Sequence, residues 1–326
     1  MKAVYIKEFG GAENLEIREV EDLPKPTGNQ VLVHVKASAL NRADIVQRQG
    51  FYPAPKGYPE RIPGLEFAGE VAEIGENVTN FKINDRVFGI TGGGAQAEFL
   101  LTEANILAKI PENLSFTEAA AVPEAFITAH DAIFTNGNLQ ENETLLIHAV
   151  GSGVGLAALQ LAKAKNIKVF GTSRTAEKLE KCKEFGLDEA VLTKDSVEFS
   201  NAIQEKNGGV DVILDLVGAK FFEENLKSLN IKGRLVLVGL TSGRTAEFNL
   251  GLALMKRAKI IGTVLRARSN AEKADATEKF IAEVLPLFES GKIKPNIDKV
   301  FDFQEIRAAH EYLESNESFG KVIITF

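Results

Sequence analysis

Ser152, Gly153, Val154 and Gly155 have the clearest chemical capacity in the chain because of what stands on either side of them. Before them, Leu145-Leu146-Ile147 shows no polar alternation, as a parallel strand covered on both faces requires. After them, Leu156-Ala157-Ala158-Leu159-Gln160-Leu161-Ala162 carries apolar residues at helical spacing. A strand that turns on glycine into a helix offers an anion free backbone N–H groups and the positive end of the helix dipole, with no Cβ to block close approach. The spacing Gly153-x-Gly155-x-x-Ala158 fits the looser dinucleotide fingerprint, and a second apolar run over residues 167–173 lies at βαβ distance. Ser152, Gly153 and Val154 are therefore expected to cradle a nucleotide diphosphate. The plain alternative is a turn that only packs a helix onto a sheet.

The end of that second run bears on which nucleotide binds. An NAD site carries Asp or Glu about 20 residues beyond the glycine turn, on the ribose 2′-hydroxyl. Here the chain reads Gly171-Thr172-Ser173-Arg174-Thr175-Ala176-Glu177-Lys178, with no acid at the strand end. Ser173, Arg174, Thr175 and Lys178 offer donors instead: a guanidinium forks onto phosphate oxygens and an ammonium adds a point charge. This set points to the 2′-phosphate of NADP(H). The competing reading makes Arg174 and Lys178 solvated charges on the first turn of a helix.

The elements that must position these residues follow from the rest of the sequence. With 326 residues, 44% hydrophobic and 25% charged, the chain is long enough for two ordinary cores. A net charge of −7 argues against a nucleic-acid or membrane-surface partner. No apolar stretch is long enough to cross a bilayer, and the first residues do not resemble a signal peptide, so a cytoplasmic location is expected. The single cysteine, Cys182, excludes an intrachain disulfide and a multi-cysteine zinc cage; His34, His130, His148 and His310 are scattered and read as structural, so no metal site is expected.

Strand patterns run over residues 2–7, 15–20, 30–37, 65–75, 85–90 and 96–101, interrupted by a helical segment at 40–50 in which Asp44 and Arg48 are spaced to pair. Alternating strands and helices then fill 144–264, with six strands in all. A helix over 271–290, a strand, a helix and a closing strand over 321–326 follow, and this tail is expected to return to the opening β structure. The fold class is α/β: a doubly wound parallel sheet plus a discontinuous β-rich domain, with boundaries at 123/124 and 265/266.

This order, with Asn41-Arg42-Ala43-Asp44, Arg48-Gln49-Gly50, Gly64-Leu65-Glu66-Phe67-Ala68-Gly69 and Ala149-x-x-Ser152-Gly153-Val154-Gly155, resembles the zinc-independent quinone oxidoreductases of the medium-chain dehydrogenase/reductase superfamily. Residues 38–44, Gln47-Arg48-Gln49-Gly50, Pro123-Glu124-Ala125 and Leu265-Arg266-Ala267-Arg268 most resemble its tumour-suppressor-inducible subgroup. The resemblance implies a GroES-like substrate domain over 1–123 and 266–326 and a Rossmann NADP-binding domain over 124–265. It places Asn41 and Tyr52 near the nicotinamide, Asn41 holding its ribose or orienting the substrate, and Thr128 on the pyrophosphate. It gives the 2′-phosphate to Ser173, Arg174 and Lys178, and sets Val217 and Leu240 beside the adenosine or nicotinamide. Leu265, Arg266, Arg268 and Lys321 would complete the cleft. Each has a plain alternative, core packing for the apolar residues and solvated faces for the basic ones. Two positions depart from many relatives, in which tyrosines stand where this chain has Thr193 and Val46.

The activity implied is NADPH-dependent reduction of quinones, small-molecule acceptors whose aromatisation drives the reaction, so that positioning carries the catalysis without a metal. The rivals are an enoyl or 2-alkenal reductase and a protein that binds NADPH without turnover. A homodimer is expected, built on the sheet edge at 259–264.

Overall fold

Alternation at Val31, Val33 and Val35 produces the burial it implies: these side chains are fully buried while their sequence neighbours are partly exposed. The computed structural model describes residues 1–194 and 197–326. The chain opens with the antiparallel pair β1 (Lys2–Ile6) and β2 (Leu15–Glu19), then β3 (Gln30–Leu40), β4 (Glu66–Ile74), β5 (Arg86–Ile90), β6 (Phe99–Glu103) and β7 (Leu107–Lys109). Six strands follow: β8 (Thr144–Ile147), β9 (Lys168–Ser173), β10 (Glu189–Leu192), β11 (Val210–Asp215), β12 (Leu229–Leu237) and β13 (Lys259–Gly262). The last two are β14 (Ile297–Asp302) and β15 (Lys321–Thr325).

Two units divide the chain: Met1–Ile127 with Leu265–Phe326, and Thr128–Val264. In the first, the strand order is β14-β15-β3-β4-β5-β7, with β6 also on β3. The tail thus joins the opening sheet through antiparallel pairing of β15 with β3, Val322 opposite Leu40. Val31, Val33, Phe67, Val71 and Val87 pack as one apolar cluster; Val4, Leu40, Ile45, Phe301, Val322 and Ile324 belong to another.

In the second unit all six strands run parallel in the order β10-β9-β8-β11-β12-β13. The order reverses beside β8, which places the turn after β8 at the switch point of a doubly wound sheet. His148 is buried there, its ring nitrogens 2.9 Å from Thr172 Oγ1 and 2.6 Å from Asn225 Oδ1. No helix among the described residues is long and apolar enough to cross a membrane.

Three local expectations change. Asp44 and Arg48 share the helix Arg42–Arg48 but do not pair. Asp44 instead accepts the backbone amides of Asn41 and Gly64 at 2.7 and 2.9 Å, and buried Arg48 meets Glu314 at 2.6 Å and the Gly10 carbonyl at 3.1 Å. On a buried helix face, distant partners with better geometry replace the local pair. The helix expected over 271–290 is two, Asn270–Glu283 and Leu285–Glu289, because the Pro286 ring cannot continue the preceding turn. The boundary falls at Thr128 rather than residue 124, and Leu265 belongs to the first unit. The helix Pro123–His130 runs through that boundary, with the Glu124 amide bound to Glu66.

Gly69 is the tightest point between β3 and β4: a Cβ there would lie 2.2 Å from the His34 carbonyl oxygen. Gly69→Ala is expected to destabilise the protein by about 1–3 kcal/mol by forcing the strands apart. An unchanged urea midpoint would show that the strands can yield.

Candidate functional site

In the first unit, Asn41, Lys321, Tyr52 and Arg266 come together around a set of carboxyls. Glu66, fully buried at the start of β4, accepts Lys321 Nζ at 2.6 Å and Asn41 Nδ2 at 2.9 Å on one oxygen, and the Glu124 amide at 2.8 Å on the other. Lys321, at the start of β15, also donates to Asn41 Oδ1 at 2.7 Å and to the Leu40 carbonyl at 3.1 Å. Asn41 is thus held at both ends of its amide. β-strand pairing explains the meeting: β15 and β4 flank β3, whose last residue is Leu40.

Arg266 is 3% exposed and forms a clamp. It donates to the Gly92 carbonyl at 2.8 Å, to the Tyr52 carbonyl at 3.1 Å and to the Gln47 side chain, and its guanidinium carbon lies 4.7 Å from the centre of the Tyr52 ring. The half-buried Tyr52 keeps its phenol O–H out of any hydrogen bond among the described residues, and burial raises the phenol above its ordinary range. Burial likewise pushes Asp44 up to about 6, against the pull of the Asn41 and Gly64 amides. Glu124 is pushed up to about 8, by burial first and by the neighbouring Glu66 second.

In the second unit the helix Gly153–Ala164 begins at Ser152, whose hydroxyl accepts the Gly155 amide at 3.1 Å. A Cβ on Gly155 would lie 2.6 Å from the Ala149 carbonyl oxygen, and Ala149 itself has φ of 48°, so the turn is drawn in as far as the backbone permits. The amides of Gly153 and Val154 make no hydrogen bond among the described residues. Thr128 Oγ1 is buried and likewise lacks a partner there. These orphan donors fit a diphosphate.

Ser173 ends β9, the neighbour of β8; its hydroxyl accepts the Thr175 amide at 3.3 Å, and its carbonyl accepts the amide and hydroxyl of Thr193 at 2.9 and 3.2 Å. Exposed Arg174 follows, and Lys178 lies in the first turn of the helix Ala176–Lys183. Val217 follows β11, its amide fixed to Asp215 Oδ1 at 2.7 Å, and exposed Leu240 follows β12 and packs beside Gly218. All of these lie past the carboxyl ends of parallel strands, where such sheets bind ligands. Leu265 is buried in the first unit, and Arg268, whose amide donates to the Leu265 carbonyl at 3.2 Å, bears electrostatically on Glu272.

Sequence reasoning missed Asp44, Glu66 and Glu124 as parts of this cluster. Glu66 and Glu124 stood within Gly64-Leu65-Glu66-Phe67-Ala68-Gly69 and Pro123-Glu124-Ala125, and an acid flanked by apolar residues was the available signal.

The two units, one β-rich and one a doubly wound parallel sheet, are the architecture that the comparisons with known proteins match. The family model "Alcohol dehydrogenase GroES-like domain" matches residues 27–112 and "Zinc-binding dehydrogenase" matches 153–282. The quinone oxidoreductase of Rattus norvegicus is 32% identical over 99% of this chain and 97% of its own. The acryloyl-coenzyme A reductase of Metallosphaera sedula is also 32% identical, over the full length of both. A mycobacterial protein solved in complex with NADPH superposes with a TM-score of 0.89 at 26% identity over 100% of both chains. The chain belongs to the medium-chain dehydrogenase/reductase superfamily of oxidoreductases, with quinone oxidoreductases among its full-length relatives. Among the described residues, no group of three or more His, Cys, Asp or Glu could hold a metal ion.

Lys321→Met is expected to cost about 3–5 kcal/mol, since it leaves Glu66 buried without its cation. Adding Glu66→Gln should recover part of that loss. Urea denaturation of the two single variants and the double one checks this, and simple additivity would mean that the pair is not coupled.

Proposed function

We propose that this protein is an NADPH-dependent reductase of quinones. The full-length likeness to quinone oxidoreductases carries the reading, and the geometry of both units supports it. When bound, the reduced nicotinamide supplies a hydride. The Gly153 and Val154 amides and the Thr128 hydroxyl bind the diphosphate; Ser173, Arg174 and Lys178 take the 2′-phosphate. Val217 and Leu240 flank the nucleotide. Tyr52 directs its phenol O–H to the acceptor oxygen. Asn41 orients the acceptor, while Lys321 and Arg266 act by holding Asn41 and Tyr52. Leu265 and Arg268 flank Arg266 in sequence and complete the acceptor side. Quinones need little activation because aromatisation drives their reduction, so orientation supplies most of the rate.

A second reading, hydride addition to an activated C=C bond, is favoured by the equally long likeness to acryloyl-coenzyme A reductase. A naphthoquinone and an unsaturated aldehyde assayed side by side separate the two. Arg174→Ala and Lys178→Ala are each expected to raise KM for NADPH about 10- to 100-fold while leaving NADH oxidation unchanged, the loss of a charge-assisted hydrogen bond. If NADPH preference survives both changes, the 2′-phosphate lies elsewhere.

We also propose a homodimer through β13. This strand ends the sheet, Ile260 and Val264 are exposed at 38% and 48%, and the preceding helix leaves Leu250, Leu254 and Met255 exposed. Light scattering should give a dimer, and a monomer on replacing Ile260 and Val264 with arginine. A monomeric parent chain would contradict the proposal.

A further inference from the structure

The first unit gathers three carboxyls, Asp44, Glu66 and Glu124, and two cations, Lys321 and Arg266, in one electrostatic cluster. Three carboxylates facing two cations leave one negative charge unbalanced, which favours a proton on one of the carboxyls. The hydrogen bonds identify which. Both oxygens of Asp44 accept main-chain amides, and both oxygens of Glu66 accept donors, the Lys321 ammonium among them. The carboxyl of Glu124 accepts no hydrogen bond among the described residues. It stands in the first turn of the helix Pro123–His130, where a carboxylate is ordinarily favoured, but Glu66 already takes the Glu124 amide. Glu124 is also partly exposed, unlike Asp44 and Glu66, so a proton on it can exchange with solvent.

We propose that Glu124 is the proton donor of the reduction. The inference rests on the reductase reading above and adds the acid that reading lacks. With a reduced nicotinamide bound, the acceptor would receive a hydride, one proton with two electrons, and carry a negative charge. The O–H bond of Glu124 then breaks and a new O–H bond forms on the acceptor, leaving Glu124 as a carboxylate that water reprotonates. The groups facing it are Glu66 and Asp44, which oppose the loss of its proton, Lys321 and Arg266, which favour it, and Tyr52, whose own phenol feels the Glu124 charge. Because the acid form is the active one, the rate should be full below about pH 8 and fall as pH rises through it.

Infrared difference spectroscopy across that range tests the assignment without turnover: the carbonyl stretch of a protonated carboxyl should fade on raising the pH, and should be missing from Glu124→Gln. In steady-state assays Glu124→Gln should lower kcat at least about 10²-fold, leave KM for NADPH unchanged and lose the alkaline limb. Tyr52→Phe should keep that limb. Absence of the infrared band, or an unaltered pH profile in Glu124→Gln, overturns the proposal. A parent chain that shows the band yet reduces neither quinones nor unsaturated aldehydes overturns the reductase reading instead.

Discussion

Removing an ammonium and a carboxylate from water together is favourable only when each finds enough partners to replace its hydration. The contact between Lys321 and Glu66 imposes that condition on the first unit. Lys321 requires the Leu40 carbonyl and Asn41 Oδ1; Glu66 requires Asn41 Nδ2 and the Glu124 amide. Meeting these demands fixes the register of β15 on β3, the entry into the helix Arg42–Arg48 and the start of the helix Pro123–His130. The side chain of Asn41 is thereby set in one orientation by the same bonds that keep the unit folded.

The buried cations of the first unit and the glycine turn of the second differ in how their polar groups are met. In the first, Arg266 is buried against two carbonyls and an amide side chain. In the second, the Gly153 and Val154 amides and the Thr128 hydroxyl are left unanswered, and Arg174 lies in solvent. Residues that a family likeness would group together therefore divide by physics. Arg266 and Lys321 stiffen the first unit, whereas the Gly153 and Val154 amides stay unpaired at the start of a helix, where an anion is favoured.

Much of this was readable in the sequence. The glycine turn, the six parallel strands and the return of the tail follow from hydrophobic period and turn residues, which act locally. What escaped depended on partners far apart in the chain. Asp44 and Arg48 satisfy the rule for a helical pair, yet Glu314 lies 266 positions beyond Arg48 and no local pattern announces it. Glu66 and Glu124 appear as isolated acids in apolar surroundings until β15 brings an ammonium between strands. The break at Val284 was legible in Pro286, where the apolar period on both sides concealed the missing amide.

The first unit is assembled from segments on either side of the second, and this ordering matters during synthesis. β4 leaves the ribosome carrying Glu66 long before β15 exists, and the entire doubly wound sheet is translated in between. The second unit can complete its core as a continuous stretch of nascent chain. Its neighbour must wait with part of the β3 edge open and a carboxylate without its counter-ion until β15 is made.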